Sequence, residues 1–197
     1  MPSTTDGSPA LGKHAIGTRE FFDNVEAHRY RVYAPWMREV MEFDGFADRV
    51  VTLAYSPFGK RLAAGGGAPT EDGEIKILDP RTGAILADWP GKHSDTVFGL
   101  AFRPDGMRLA TASADKFVKV FEFPSGKQDR SFEGHTAHVM DVGWSPDGKR
   151  LVSASADNSI KIWDYEKGEK IRDVPGHQKQ VTRLQFVGRK AQFLSAS

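Results

Sequence analysis

An all-β fold of four-stranded antiparallel blades follows from three features of the sequence. These are a repeat of 42 residues, four short β-rich runs inside each full copy, and a Pro-x-Gly turn at the same place in the three full copies. Residues 93–134 and 135–176 align without a gap, and His93, His135 and His177 follow one another at intervals of 42. A period of about 40–45 residues is that of a β-propeller blade. The chain is therefore expected to be an incomplete propeller segment of about four blade equivalents.

The clearest copy shows why each run is a strand. Val139-Met140-Asp141-Val142-Gly143-Trp144 is short and rich in β-formers. Ser145-Pro146-Asp147-Gly148 then turns the chain, with proline presetting φ and glycine accepting a positive φ. Leu151-Val152-Ser153-Ala154-Ser155 is a second strand of small residues, and Ser159-Ile160-Lys161-Ile162-Trp163 a third with alternating character. Glu166-Lys167-Gly168-Glu169 turns again into Lys170-Ile171-Arg172-Asp173-Val174. Four strands in one period leave room only for short hairpin loops.

The remaining copies fix the domain plan. Residues 46–92 form a looser copy: Val50 to Val97 is 47 residues but Asp79 to Glu122 is 43. Four residues are thus inserted in the stretch Gly65 to Asp72, and Lys92 adds one more. Blades are expected at 46–92, 93–134 and 135–176, with residues 177–197 supplying the first two strands of another. Residues 30–45 read as the last two strands of a preceding blade, since Arg31-Val32-Tyr33 resembles Lys161-Ile162-Trp163. Residues 1–16 are small and polar and are expected to be a disordered N-terminus. Residues 17–29 form a lead-in, either a short helix capped by Thr18 or an irregular segment. Open edges seek partners. Two closures are available: pairing of 30–45 with 181–197 in one chain, or the same pairing in a homodimer that completes an eight-bladed ring. The simplest account of the blade count is a piece of a longer reading frame.

Composition narrows the function classes. The formal net charge is +1 and no cysteine is present. Balanced charge gives no long-range attraction to nucleic acid or an anionic membrane, and no nucleic-acid partner is expected. Absence of cysteine excludes disulfides, thiolate metal sites and covalent haem within these residues. No apolar run reaches the roughly 18–20 residues of a membrane span. The first residues lack a secretory leader pattern, which reads as a cytoplasmic start.

Motifs that invite chemistry are better explained by the repeat. A metal reading of the histidines fails because residues spaced by one blade radiate instead of converging, and no metal or cofactor is expected. Gly65-Gly66-Gly67 leads into another strand, not a helix, so it reads as a hairpin loop and not a phosphate cradle. Lys60-Arg61, Arg108 and Lys149-Arg150 recur after the turns and read as solvated strand ends. No group stands outside the repeat in the way an active site does, so the chain is expected not to be an enzyme.

Gly134-His135, the Ser-Pro-Asp-Gly turn, Ser153, Asp157 and Trp163-Asp164 together resemble the WD-repeat signature, over residues 46–197. More narrowly, HSDTVFGLAF through ADKFVKVFE is similar to propellers joined to c-type cytochrome domains in bacterial proteins, although no Cys-x-x-Cys-His motif is present. The family resemblance implies a structural tetrad: His135, Ser153, Asp157 and Trp163 in the third copy; His93, Thr111 and Asp115 in the second, with Phe121 at the Trp position; and His177 with Ser195 in the last. The first copy has Phe46 for His and Leu78 for Trp, so packing alone is expected to hold it. The resemblance implies a non-catalytic scaffold for protein partners. The alternative it carries is the propeller module of a larger periplasmic redox protein whose chemistry lies elsewhere. Rigid scaffolds hold variable loop residues for binding. The candidate partner-contact face holds Arg49, Thr96, His138 and Gln180, before the first-strand valines, with Lys116 and Asn158 after the tetrad aspartates.

Overall fold

The computed structural model describes residues 30–33, 39–43, 45–188 and 190–197, and among them every regular element is a strand. The expected N-terminal segment and the lead-in with Thr18 lie outside the described residues. The chain divides into two compact units, residues 1–45 and 46–197. In the first, β1 (Tyr30–Tyr33) and β2 (Glu39–Phe43) pair antiparallel, Tyr30 opposite Phe43 and Val32 opposite Met41.

The second unit holds three four-stranded antiparallel sheets and one two-stranded sheet. The first sheet is β3 (Val50–Tyr55), β4 (Leu62–Gly66), β5 (Gly73–Leu78) and β6 (Ile85–His93). The second is β7 (Val97–Phe102), β8 (Arg108–Ser113), β9 (Val118–Glu122) and β10 (Gln128–Phe132). The third is β11 (Val139–Trp144), β12 (Arg150–Ser155), β13 (Ile160–Asp164) and β14 (Glu169–Val174). The last pairs β15 (Arg183–Phe186) with β16 (Phe193–Ala196). Strands pair in simple sequence order, as expected of propeller blades, and the sheets do not close on themselves.

Local chemistry sets this regularity. In each Pro-x-Gly turn the glycine N–H returns to the carbonyl three residues back, at 2.8 Å for Gly59, Gly106 and Gly148, all with φ near +70° (+67°, +73° and +67°). Only glycine takes that conformation without strain. Each first strand carries the same irregularity, between Val50 and Thr52, Val97 and Gly99, and Val139 and Asp141. The insertion in the first copy lies between β4 and β5 as a loop, with Gly66 and Gly67 pressed on backbone. A Cβ at Gly66 would sit 1.9 Å from the Arg49 carbonyl, and one at Gly67 would sit 2.0 Å from that of Asp72. The triplet serves close packing of chain on chain. One boundary differs from expectation: β6 runs through Lys92 to His93, which pairs with Gly73, so the first sheet takes one residue more.

Face-to-face stacking forms the core. Ile75, Ile77 and Trp89 of the first sheet meet Val97, Leu100 and Phe121 of the second. Val118, Val120 and Phe132 of the second meet Val142, Trp144 and Trp163 of the third. Val152 and Ile160 of the third meet Val181 and Leu184. Each large side chain so buried contributes about 1.5–3 kcal/mol. The second strands are small-residue runs, Leu-Ala-Thr-Ala-Ser and Leu-Val-Ser-Ala-Ser, because they are buried on both faces. The outer strand β14 is instead charged and exposed, which blunts an edge that would otherwise pair with other chains.

Candidate functional site

The third sheet carries a continuous polar chain from its interior to its loop end. The Trp163 indole N–H donates to Ser153 Oγ at 2.8 Å, and Ser153 lies 2.8 Å from His135 Nε2. His135 Nδ1 lies 2.8 Å from Asp157 Oδ2. A carboxylate only accepts, so Nδ1 carries the proton and Nε2 accepts from the serine hydroxyl. Asp157 also receives the Thr136 N–H at 3.0 Å and the Ser159 hydroxyl at 2.6 Å. The second sheet repeats the arrangement with one part missing. His93 bridges Thr111 Oγ1 at 2.6 Å and Asp115 Oδ2 at 2.7 Å, but Phe121 supplies no donor to the threonine oxygen. In the last sheet His177 Nε2 meets Ser195 Oγ at 2.8 Å.

Burial and pairing set the charge states. Burial holds the His93 and His135 imidazoles below their ordinary pKa, against the upward pull of Asp115 and Asp157. Burial pushes the Asp157 carboxyl up, but the Ser159 hydroxyl, the Thr136 N–H and His135 outweigh it and hold it well below the carboxylate range. Asp115 is lowered in the same way: burial raises it, while His93 and the Phe117 N–H lower it further.

Serine, histidine and aspartate in this order mimic the geometry of a nucleophilic triad. Ser153 nevertheless has 0% of its surface exposed, and its lone pair is occupied by the indole of Trp163. Buried and bonded in this way, Ser153 is not presented as a nucleophile, and the chain of bonds ties strands together. Among the described residues no cluster of histidine, aspartate and glutamate is arranged to hold a metal ion.

The first sheet does not rely on packing alone, contrary to the sequence expectation. Glu74 accepts the Ala47 N–H at 3.1 Å, and the Lys76 ammonium lies 5.2 Å from the centre of the Phe46 ring while pairing with Asp88 at 2.6 Å. Phe46 stands at the histidine position of the other copies, and its ring carries a lysine in place of the hydroxyl and aspartate bonds. The third sheet keeps the same lysine and acid, Lys161 with Asp173 at 2.5 Å.

The loops before the first strands are fastened by a recurring backbone bond. Arg49 O accepts from Gly67, Thr96 O from Ala114 and His138 O from Ala156, at 3.0, 2.9 and 2.9 Å. This brings Arg49, His138 and Gln180, all exposed, to the same end as Lys116 and Asn158. Lys116 and Asn158 are exposed and hold positive φ of 75° and 65°. The His138 ring lies 6.1 Å from that of Phe98, and Asn158 Nδ2 reaches Gln178 O at 3.4 Å. Thr96 does not join them. It is 2% exposed and turns its hydroxyl inward to Gly67 O at 3.4 Å, because a short side chain at that site meets the neighbouring loop.

At the opposite end, the reading of the basic residues as solvated strand ends fails for Arg108. Its Nε lies 2.9 Å from Asp129 and 3.2 Å from the Tyr165 hydroxyl, which itself donates to Asp129. Arg103 stacks nearby, its guanidinium 5.0 Å from the Tyr165 ring centre and 5.7 Å from that of Trp144. This junction of the second and third sheets escaped the sequence reading because neither Arg103, Asp129 nor Tyr165 repeats from copy to copy. The only signal was their departure from the repeat.

The family described as "WD domain, G-beta repeat" matches residues 37–79, 86–122 and 126–164. Similar proteins include "WD repeat-containing protein SL1-17" of Schistosoma mansoni, 40% identical over 78 residues, which is 40% of this chain and 24% of that protein. The "U3 small nucleolar RNA-associated protein 15 homolog" of Xenopus laevis is 33% identical over 112 residues, 56% of this chain and 21% of that protein. "Coronin-7" of Homo sapiens is 28% identical over 137 residues, 61% of this chain and 14% of that protein. The chain thus spans less than a quarter of the length of each of these three relatives. All three are eukaryotic and lend no support to the bacterial source implied by the narrower cytochrome resemblance.

Proposed function

The chain belongs to the WD-repeat family, and from that premise we propose that it is a non-catalytic scaffold on which partner proteins dock. The contact face is the end that presents Arg49, His138, Gln180, Lys116 and Asn158. One observation carries the reading: exposed side chains of unlike chemistry project from loops whose backbones are locked by the bonds at Gly67, Ala114 and Ala156. Rigid presentation of varied groups lowers the ordering cost of binding. The buried state of Ser153 and the confinement of the side-chain bonds of His93, His135 and His177 to their own copies of the repeat support a non-catalytic reading. The relatives share repeats but bear names as unlike as coronin and small nucleolar RNA-associated protein, which supports a common means of contact over a common reaction.

A photo-crosslinking residue at position 138 is expected to capture a partner protein from extracts, and the same residue at position 149 is expected to capture none. With the crosslinking residue kept at 138, the double variant R49E and Q180A should lose that capture with its urea midpoint unchanged. Capture at 149 but not 138, or capture that survives the double variant, removes this face as the contact surface.

A further inference from the structure

The junctions between successive sheets are built alike, which makes each a control for the next. Phe123 N–H donates to Met107 O at 3.0 Å, and Tyr165 N–H donates to Lys149 O at 3.0 Å. Met107 therefore corresponds to Lys149, Phe123 to Tyr165, and Pro124 to Glu166. By the turn sequences, Phe58 corresponds to Asp105 and Asp147, and Ser56 to Arg103.

The second junction, between the second and third sheets, is filled and ion-paired. Arg103 lies over the edge-to-face pair Trp144 and Tyr165, whose centres are 5.0 Å apart. It reaches Asp105 at 3.5 Å and Glu166 at 3.9 Å. The first junction has the same edge-to-face ring pair, Phe102 and Phe123 at 5.2 Å, but its filler is gone because Ser56 replaces the arginine. A groove of about 320 Å³ opens there. Both acids that would hold a cation are gone too, replaced by Phe58 and Pro124. Phe58 is 72% exposed and leans over Gly106, and Met107 is 55% exposed.

Ser56 serves its own turn, where its hydroxyl accepts the Arg61 N–H at 3.1 Å, but the exposed Phe58 ring forms no such bond. An aspartate at the turn would bind its own backbone, as Asp105 does to the Met107 N–H at 2.8 Å and Asp147 to the Lys149 N–H at 3.0 Å. Phe58 gives that bond up for a solvent-facing ring. Exposed apolar side chains gathered around one groove offer a place for an apolar ligand group. Charge decides its occupant. Lys60 and Arg61 line the groove and form no ion pair among the described residues, while Asp105 is already held by Arg103. A cationic ligand would meet two like charges and no free acid.

We propose that this groove docks an extended peptide segment of a partner protein, with a large apolar side chain between Phe58, Met107 and Pro124 and flanking carboxylates on Lys60 and Arg61. It is a second surface, at the opposite end of the strands from the face proposed above, and stands whether or not that face binds.

The test uses the whole chain labelled with 13C at its methionine methyls and three blocked pentapeptides, Glu-Asp-Leu-Asp-Glu, Glu-Asp-Ala-Asp-Glu and Lys-Lys-Leu-Lys-Lys. The Met107 methyl resonance is expected to shift with the acidic leucine peptide, with affinity weakened about ten-fold or more by either other peptide. Ser56→Arg should refill the groove as Arg103 does and abolish the shift. Phe58→Asp installs the residue that the other two turns already carry, so it keeps the turn and should weaken binding about ten-fold. A Met107 methyl that does not move, or a shift that survives Ser56→Arg, overturns the proposal. An equal response to the basic peptide overturns the assigned chemistry. Self-association without peptide, lost in Phe58→Asp, overturns it in favour of a second copy of this chain.

Discussion

The second and third sheets solve one structural problem with unequal means. Both hold a buried histidine between a hydroxyl and an aspartate, with bond lengths within about 0.2 Å of each other (2.6 and 2.7 Å against 2.8 and 2.8 Å). The third adds the Trp163 indole to the hydroxyl and the Ser159 hydroxyl to the aspartate. The second has Phe121 and Phe117 at those places, so its chain of bonds is shorter at both ends. Phe121 is nonetheless fully buried among Ile75, Ile77 and Trp89. Apolar packing gives the second sheet its share of stability, whereas the third draws more of its own from connected hydrogen bonds. Linked bonds strengthen one another and fail together.

The largest effect should come from removing the two aspartates. Asp157→Ala leaves a buried imidazole N–H and two backbone N–H groups without their acceptor and is expected to cost about 3 kcal/mol. Asp115→Ala strips a less connected carboxylate and should cost about 2 kcal/mol. Urea unfolding of the two variants measures both. Equal losses, or a larger loss for Asp115, would mean that the Trp163 indole and the Ser159 hydroxyl add nothing to the third tetrad.

Acid should act on both sheets. The imidazoles of His93 and His135 and the carboxyls of Asp115 and Asp157 all have folded-state pKa values below their unfolded ones. The unfolded chain then binds more protons, so stability falls as pH falls. It is complete above about pH 6.5, declines as the unfolded histidines charge, and declines further below about pH 4 as unfolded carboxyls take up protons that the folded ones refuse. The urea midpoint is expected to drop from pH 7.5 to 5.5 and again toward pH 4. A midpoint that rises over the first interval would show the histidines to be charged in the fold.

Trp163→Phe removes one of the two groups that set the third tetrad apart from the second, leaving the Ser159 hydroxyl. The lost donor should cost about 1–2 kcal/mol. In that background the penalties of Asp157→Ala and Asp115→Ala should draw together, a coupling that a double-mutant cycle reads directly. Penalties that stay as far apart as before would assign the difference to Ser159 and not to the tryptophan.

How much of this was open to the sequence depends on whether a feature repeats. The tetrads were legible through the family resemblance, and the period of 42 carried them from one copy to the next, with serine or threonine and aspartate 18 and 22 residues after each histidine. The all-β fold was legible from the same period. Arg108 was misread as a solvated strand end because its partners, Asp129 and Tyr165, come from elsewhere in the second sheet and from the third, and they meet only when sheets stack. Thr96 shares its register with exposed His138, and only the neighbouring loop at Gly67 decides that its hydroxyl turns in. Phe58 and Met107 are visible as departures from the repeat, but their adjacency belongs to the packing of two sheets, not to the order of residues in one.

The smallest expected effect separates the same two sheets by sign. Lys116 and Asn158 occupy one turn position with φ of 75° and 65°, where the side chain crowds the backbone. Glycine relieves that crowding, worth roughly 1–2 kcal/mol, but returns part of it through the greater freedom of the unfolded chain, roughly 0.5–1 kcal/mol. Lysine has no compensating contact here: its side chain is exposed and makes no ion pair among the described residues. Lys116→Gly should therefore stabilise by about 0.5 kcal/mol. Asparagine tolerates the left-handed region better than other residues, and the Asn158 amide also reaches Gln178 O at 3.4 Å. Its replacement by glycine relieves little and removes that contact, so Asn158→Gly should leave stability unchanged or lower it by about 0.5 kcal/mol. Paired urea curves resolve a difference of this size when both variants are measured against the parent in one series. If both glycines stabilise, the asparagine side chain adds nothing at its turn, and the contrast between the sheets is confined to their tetrads.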